Sequence, residues 1–404
     1  METATATNAL QHVQDLESQY LFPTYTRVPL LLERGKGVYA YDSAGKRYLD
    51  FITGIGVNAL GYAHPRLLAV IRDQSKKIIH TSNIYYNEFQ GPLAERLTKL
   101  SRMERAFFTV SGAEATECAL KVARSAGQKL SPDKIELVAL EHSFHGRTMG
   151  ALSVTGQTAY RTPFGPMLPG VTFVPANDIA ALTAAVGPKT CGIIVEPVQG
   201  EGGIFEIQEG FLRAAADLAR QHQASLIFDE IQCGMGRTGK LFAHQWTDLL
   251  PDILITAKPI ACGYPLGAVL ARGPQATALN AHSHGTTFGG GPLACRLGLE
   301  VLDILHNDAM YAHIQAMGER LKQGLQKLAA RHNFVKEVRG KGLMLGMELD
   351  RPAKPVFDSM VEQGLLANVT HSTVIRMLPP YVLEPRHVDQ ALRIVAKALK
   401  VLKA

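Results

Sequence analysis

Lys258 follows Asp229 by 29 residues, and each closes a short apolar run: Leu226-Ile227-Phe228 before the acid, Ile253-Leu254-Ile255 before the lysine. Runs of this length read as buried strands, so both side chains emerge at strand ends. A lysine amine can form an imine with an aldehyde, and a carboxylate can keep a pyridine nitrogen protonated so that the ring accepts electrons. Pyridoxal phosphate chemistry needs these two groups at opposite ends of one ring. The plainer alternatives are a surface lysine and an ordinary strand-end acid. Against them, Pro259 biases Lys258 towards extended backbone beside a buried edge, and burial would lower the amine pKa and favour the imine.

Other segments carry matching chemistry. The strand-like run Arg105–Val110 leads into Ser111-Gly112-Ala113-Glu114, which has the S-x-x-E spacing of a capping box. Gly112 lets backbone approach a ligand closely, and the free N–H groups of a helix start bind anions. A capped helix with no ligand is the alternative; beside Lys258 and Asp229, phosphate on Gly112 and Ala113 is favoured. After the run Ile135–Leu140 comes His142-Ser143-Phe144-His145-Gly146-Arg147-Thr148. There Phe144 can stack on a planar cofactor and Arg147 can fork onto a carboxylate. His142 and His145 lack a third ligand at a metal-site spacing, so they read as hydrogen-bonding loop residues and no metal is expected. Glu196 and Glu201 bracket a Gly/Pro loop. Two carboxylates suggest glycoside hydrolysis in isolation, but such a loop does not control their separation, and an acid paired with a cation is plainer. Thr286 and Thr287 lie in a second Gly-rich loop, Gly285–Gly291, whose bland reading is a flexible connector. Arg376 sits in the apolar stretch Val374–Pro380, which argues against simple solvation.

The elements that must position these residues follow from length and periodicity. At 404 residues the chain exceeds what one core usually holds, so two domains are expected. Val38–Asp42 and Lys46–Asp50 around Ser43-Ala44-Gly45 read as a hairpin, and residues 8–20 as a short amphipathic helix. From about residue 64, helix-like segments (Leu67–Ile79, Glu114–Ala126, Phe211–His222) alternate with strand-like ones, including Val171–Val174, Gly192–Val195 and Gly267–Leu270. This alternation predicts an α/β fold with a mostly parallel mixed sheet flanked by helices. Helices over 293–307 and 309–332, strands at Leu343–Leu349 and Val374–Met377, and a closing helix Pro385–Ala404 predict a smaller α+β domain. The expected division is an N-terminal segment 1–50 packing with the small domain, a large domain 51–295, and the small domain 296–404.

Composition narrows the function classes. Apolar residues make up 46% and charged ones 19%, as in a soluble globular enzyme. The net charge of +6 is dispersed, with neither basic stripe nor recognition motif, so no nucleic-acid partner is expected. Five widely spaced cysteines without a CxxC pair indicate neither a disulfide framework nor a zinc ribbon. No signal-like start or membrane-length apolar run is seen, and a cytoplasmic protein with no membrane partner is the expectation.

Together the segments resemble the class III pyridoxal-phosphate aminotransferases of fold type I, from about Tyr25 to the last residues. The most specific matches are Phe144–Thr148, Glu196–Gly202, Asp229–Gly239 and Gly285–Gly290. The resemblance implies that Lys258 carries pyridoxal 5′-phosphate covalently and later moves the substrate proton. Asp229 would face the ring nitrogen, with Glu196 supporting it. Phe144 and Ile231 would cover the two ring faces and Gln232 the ring hydroxyl. Ser111, Gly112, Ala113 and His145 would complete the cofactor site, with Thr287 reaching the phosphate from the other subunit of a homodimer with shared active sites. Tyr25, Ile55, Arg147, Glu201, Thr286 and Arg376 would face substrate. In that picture Arg147 clamps a distal carboxylate, and Glu201 masks Arg376 until glutamate must bind. Two positions depart from the pattern: Gly291 stands where most relatives have asparagine, and Cys262 where glycine is usual.

The resemblance implies transfer of an amino group to 2-oxoglutarate. Ile55 occupies a position where free-ornithine enzymes have tyrosine, and an apolar residue offers no partner to a charged α-ammonium. N2-acetyl-L-ornithine is therefore the expected donor. Alternatives are succinylated ornithine or diaminopimelate, carrier-linked aminoadipate semialdehyde, free ornithine, 4-aminobutyrate, an isomerase of the same fold, or a non-catalytic cofactor-binding regulator.

Overall fold

The apolar runs form strands because they can be buried on both faces. The structure, a computed structural model, describes residues 2–402. Seven strands form the main sheet: β1 (Arg105–Thr109), β2 (Glu136–Leu140), β3 (Val171–Val174), β4 (Thr190–Val195), β5 (Ser225–Asp229), β6 (Ile253–Thr256) and β7 (Gly267–Ala271). Their spatial order is β1-β7-β6-β5-β4-β2-β3. Every residue of β4, β5, β6 and β7 is buried. Successive side chains alternate between two cores. Ile193, Leu226, Phe228 and Leu254 enter one, while Ile194, Ile227, Ile253 and Ile255 enter the other. Helices cover both faces, as an α/β sheet requires. Helix α1 (Gly112–Gln128) packs on β4, β6 and β7, and α2 (Glu209–Gln221) on β4 and β5.

All neighbouring strands are parallel except those involving β7, which runs antiparallel to both β1 and β6. The reason is the short connection 257–266 between β6 and β7. A parallel return needs a crossover of about a dozen residues or more. The expected mixed sheet is therefore present.

Residues before and after this sheet meet each other. The expected hairpin is formed by Tyr39–Asp42 and Arg47–Asp50, with Gly45 at φ 79° in its turn. Its second strand continues in parallel register with Leu365–Leu366, Leu49 opposite Leu365. A second four-stranded sheet joins Val335–Lys341, Met344–Leu349, Val374–Met377 and Asn368–Thr370 in that order. Helices Pro292–Leu305 and Asp308–Ala329 match the expected pair. The expected helix Leu67–Ile79 is instead Pro65–Gln74, and the N-terminal helix runs Glu2–Tyr20. The closing helix ends at Ala398, a short 3₁₀ turn follows, and residues 403–404 lie outside the described residues. Strand Val335–Lys341 and helices Gln90–Ser101 and Lys354–Glu362 had no sequence prediction. The strand's five charged or glycine positions mask its alternation. Among the described residues no helix is long and apolar enough to cross a membrane.

Candidate active site

Parallel strands deliver their carboxyl ends to one edge, and the site is built there. Asp229 is the last residue of β5, and Glu196 directly follows β4. Asp229 pairs with Ile255 across β5 and β6, and Lys258 leaves β6 three residues beyond that partner. Both line one cavity of about 460 Å³, joined by Ser111, Gly112 and Ala113 after β1 and by Phe144, His145 and Arg147 after β2. Glu196, Glu201, Ile231 and Gln232 line it too, so twelve of the seventeen sequence-nominated side chains and backbone positions share one space. Its size suits one small cofactor with substrate.

The acid end is held before any ligand arrives. His145 Nδ1 lies 2.7 Å from Asp229 Oδ2, and the Ile231 N–H donates to Asp229 Oδ1 at 3.0 Å. Glu196 accepts the Phe144 N–H at 2.9 Å and the Gly200 N–H at 3.2 Å. Burial pushes the Glu196 carboxyl up to about 7; His145 opposes that shift and Asp229 reinforces it. Lys258 stands at φ 47°, a left-handed conformation uncommon for any residue but glycine, and not the extended one expected from Pro259. Burial lowers its pKa from the usual lysine value; Glu201 works against this and Arg376 with it. A lowered pKa leaves more free amine for attack on a carbonyl.

At the other end, Ser111 Oγ caps α1 by accepting the Glu114 N–H at 3.2 Å. The Glu114 carboxylate reaches back to the Val110 N–H at 3.0 Å, one residue earlier than a capping box places it. The first N–H groups of α1, those of Gly112 and Ala113, have no intrahelical acceptor and point to an anion site. A Cβ on Gly112 would come within 2.8 Å of Ile231 Cδ1, so glycine lets the Ile231 side chain pack directly on this backbone. Arg147 stacks on Tyr160 with its guanidinium 3.6 Å from the ring centroid, which holds the fork at the pocket wall.

Arg376, on the second sheet, is fully buried and stands behind the pocket wall, in contact with the lining residues Glu201 and Gln232. Its Nη1 pairs with Glu201 Oε1 at 2.5 Å and donates to Gln232 Oε1 at 3.2 Å, while its Nε donates to Asn368 Oδ1 at 2.9 Å. Burial raises the Glu201 carboxyl, but the charge and hydrogen bond of Arg376 outweigh it and the net shift is downward.

Comparison with known proteins decides the family. The model of the family "Aminotransferase class-III" matches residues 20–399. The chain belongs to the class-III aminotransferases. It is 43% identical over 390 residues to the acetylornithine aminotransferase of Methanocaldococcus jannaschii, covering 96% of this chain and 98% of that one. It is 44% identical over 385 residues to acetylornithine aminotransferase 1 of Bordetella bronchiseptica, covering 95% and 98%. Among solved structures it matches the ornithine aminotransferase of Toxoplasma gondii with a TM-score of 0.93 and 30% identity, covering 97% of this chain and 94% of that one. That structure is described as having partial occupancy of PLP at its active site.

Besides Arg376, four nominated positions of this class-III aminotransferase lie outside the pocket lining. Thr286 and Thr287 border a neighbouring cavity with Phe107, Glu117, Lys121 and His284. Tyr25 is 75% exposed and Ile55 is 41% exposed. Ile55 sits in a run of four left-handed residues, Thr53 to Gly56, two positions before the pocket residue Val57. A β-branched residue there is strained and must be held by its surroundings. Asp50 Oδ1 accepts the Thr53 N–H, Thr53 Oγ1 donates to the Leu378 carbonyl, and Arg237 Nη2 donates to the Gly56 carbonyl. Cys262 also adopts a left-handed conformation, φ 41°, which fits glycine at this position in the resemblance. Sequence reading missed Asn368. The only available signal was a polar residue in an otherwise apolar run.

Proposed function

We propose that this class-III aminotransferase transfers the terminal amino group of N2-acetyl-L-ornithine to 2-oxoglutarate, giving N-acetyl-L-glutamate 5-semialdehyde and L-glutamate in arginine biosynthesis, in a cytoplasmic setting. The observation carrying this reading is the buried Arg376–Glu201 ion pair beside the pocket shared by Lys258 and Asp229. The free amides of α1 at Gly112 and Ala113 and the anchored Asp229 carboxylate fit pyridoxal 5′-phosphate. When bound, that cofactor supplies an aldehyde for the amino group and an electron-accepting ring.

The chain's own residues divide the remaining work. Lys258 holds the cofactor, and its Nζ takes a proton from the donor carbon that bears nitrogen. Asp229, fixed by His145 and the Ile231 N–H, would keep the ring nitrogen protonated, with Glu196 supporting this pair. Phe144 and Ile231 would cover the ring faces, Gln232 would bond the ring hydroxyl, and Ser111, Gly112 and Ala113 would hold the phosphate.

Two substrates must use one site. The donor's terminal amine has no carboxylate beside it, whereas glutamate's amine does. Arg147 takes the distal carboxylate in both cases. Glu201 neutralises Arg376 while the donor is bound and swings away when an α-carboxylate arrives. A movable counter-ion gives the site different affinities in two states. Tyr25, Ile55 and Thr286 complete the substrate side, and apolar Ile55 favours an acylated donor. The names of the sequence relatives support the same donor.

A homodimer with shared sites is part of the proposal, with Thr287 of one copy meeting the phosphate in the other. Support comes from the exposure of Ile84, Tyr85, Tyr86 and Phe288, and from Asn83, which ties this region to the loop by donating to the Thr286 and Gly289 carbonyls. Apolar surface of this kind marks an interaction face. Sedimentation should give a dimer.

The deciding assay offers purified holoenzyme acetylated, succinylated and free ornithine, each with 2-oxoglutarate. The acetylated donor should have the highest kcat/KM; preference for free ornithine would overturn the donor assignment. Turnover without 2-oxoglutarate would indicate an isomerase.

A further inference from the structure

Arg376 has to serve two opposite states if Glu201 is a movable mask. When Glu201 is in place the guanidinium is neutralised; when Glu201 leaves, the same guanidinium must already point at the incoming carboxylate. Something other than Glu201 must therefore fix its orientation. The guanidinium offers five N–H donors in one rigid plane. Glu201 is the carboxylate paired with it, and its side chain remains 23% exposed while that of Arg376 is fully buried. The mobile partner is thus at the solvent side and the stationary one inside.

The surroundings of both residues separate what can move from what cannot. Asn368 lies directly opposite Arg376 in the antiparallel pair between Asn368–Thr370 and Val374–Met377. Directly opposed residues on one face of a sheet are close neighbours whose spacing is set by the backbone ladder. Asn368 Oδ1 accepts from Arg376 Nε at 2.9 Å, on the side of the guanidinium away from the Glu201 contact at Nη1. Two residues on, Thr370 Oγ1 donates to the Glu201 backbone carbonyl at 2.5 Å, so the chain at Glu201 is anchored independently of the side chain's contacts with Arg376 and Gln232. Arg376 Nη2 is buried without a hydrogen-bond partner among the described residues. With Glu201 gone, Nη1 keeps its bond to Gln232 Oε1 and has one N–H released, which with the unpartnered Nη2 suits a bidentate carboxylate.

We propose that Asn368 is a positioning residue: its side-chain carbonyl holds the Arg376 guanidinium in one orientation whether Glu201 is paired or displaced, so that only the acid moves. The inference rests on the reading of Glu201 and Arg376 above and extends it. A neutral amide suits this task because it fixes direction without supplying a charge that competes with substrate. A carboxylate at position 368 would be a permanent second mask.

Holoenzyme variants test this in separated half-reactions, followed by cofactor absorbance with either the acetylated donor or glutamate alone. In Asn368→Ala the apparent Kd for glutamate should rise roughly tenfold, the size of one charge-assisted hydrogen bond, with that for the donor little changed. The near-isosteric Asn368→Asp, which preserves the strand and its packing, should weaken glutamate binding further, and adding Glu201→Ala should not restore it. Calorimetric titration with glutarate, an unreactive dicarboxylate, should show the same losses without turnover. Equal effects on both half-reactions, or none, would overturn the role of Asn368. Glu201→Ala alone separates the two readings. If it fails to weaken donor use relative to glutamate, the mask itself is wrong. If it does so while both Asn368 variants bind glutamate normally, only the present inference fails.

Discussion

His145 and Asp229 form a buried contact, Nδ1 to Oδ2 at 2.7 Å, between the loop after β2 and the end of β5. The Ile231 N–H takes the other carboxylate oxygen. Both oxygens are therefore oriented before a ligand enters, and no reorganisation is left for the reacting state. His145→Ala should lower kcat roughly tenfold or more, the scale of a lost hydrogen bond to a charged group, while the protein stays folded. Steady-state kinetics with circular dichroism checks this. Unchanged kcat would show that Asp229 does not need its neighbour.

Glu196 makes stability depend on pH. Its folded-state value of about 7 lies above the ordinary 4.5, so between these the folded chain keeps a proton that the unfolded chain has released. Its contribution is greatest at and below the lower value, declines as pH rises through the window, and is level above it. Glu196→Gln removes this slope. The urea midpoint of the variant, relative to wild type, should climb across that window; parallel curves would show that Glu196 titrates normally.

Gly112→Ala places a methyl within 2.8 Å of Ile231 Cδ1, pushing on the side chain assigned to one face of the cofactor. Overpacking of this kind costs roughly 1–3 kcal/mol, so cofactor affinity should fall by about tenfold or more. Equilibrium dialysis of the apoprotein with pyridoxal phosphate measures it. Wild-type affinity would mean that the cofactor does not approach this backbone.

Arg237 is fully buried, 4.6 Å from the Tyr381 ring centroid, and bonded to the carbonyls of Gly56, Leu343 and Pro379. It joins the strained turn at Ile55 to the second sheet. Arg237→Ala leaves these acceptors without a donor and should destabilise the fold by about 3 kcal/mol or more. Urea unfolding checks the loss, and a change under about 1 kcal/mol would remove Arg237 as the clamp of that turn.

Lys258→Ala should abolish turnover and the visible absorbance of covalently held cofactor, without loss of fold. Full activity in that variant would end the aminotransferase mechanism proposed here.

The chemistry-bearing residues were legible because each sits at the end of an apolar run. Strand length and burial follow from local composition, and the side-chain period of two is local as well. That is why Asp229, Lys258, Glu196 and the start of α1 could be assigned to strand and helix ends from the chain alone. Family motifs added the nomination of Arg376 and Glu201. The tertiary structure alone decided which ends meet. Asp229 and Lys258 share a pocket because β5 and β6 are neighbours, an outcome of packing rather than periodicity. The turn-back of β7, the bond from His145 to Asp229, and Asn368 facing Arg376 depend on connection length, loop path and strand register. A one-residue slip in that last pairing would send Asn368 to the opposite face. Such contacts join residues far apart in the chain, and local propensity carries no information about them.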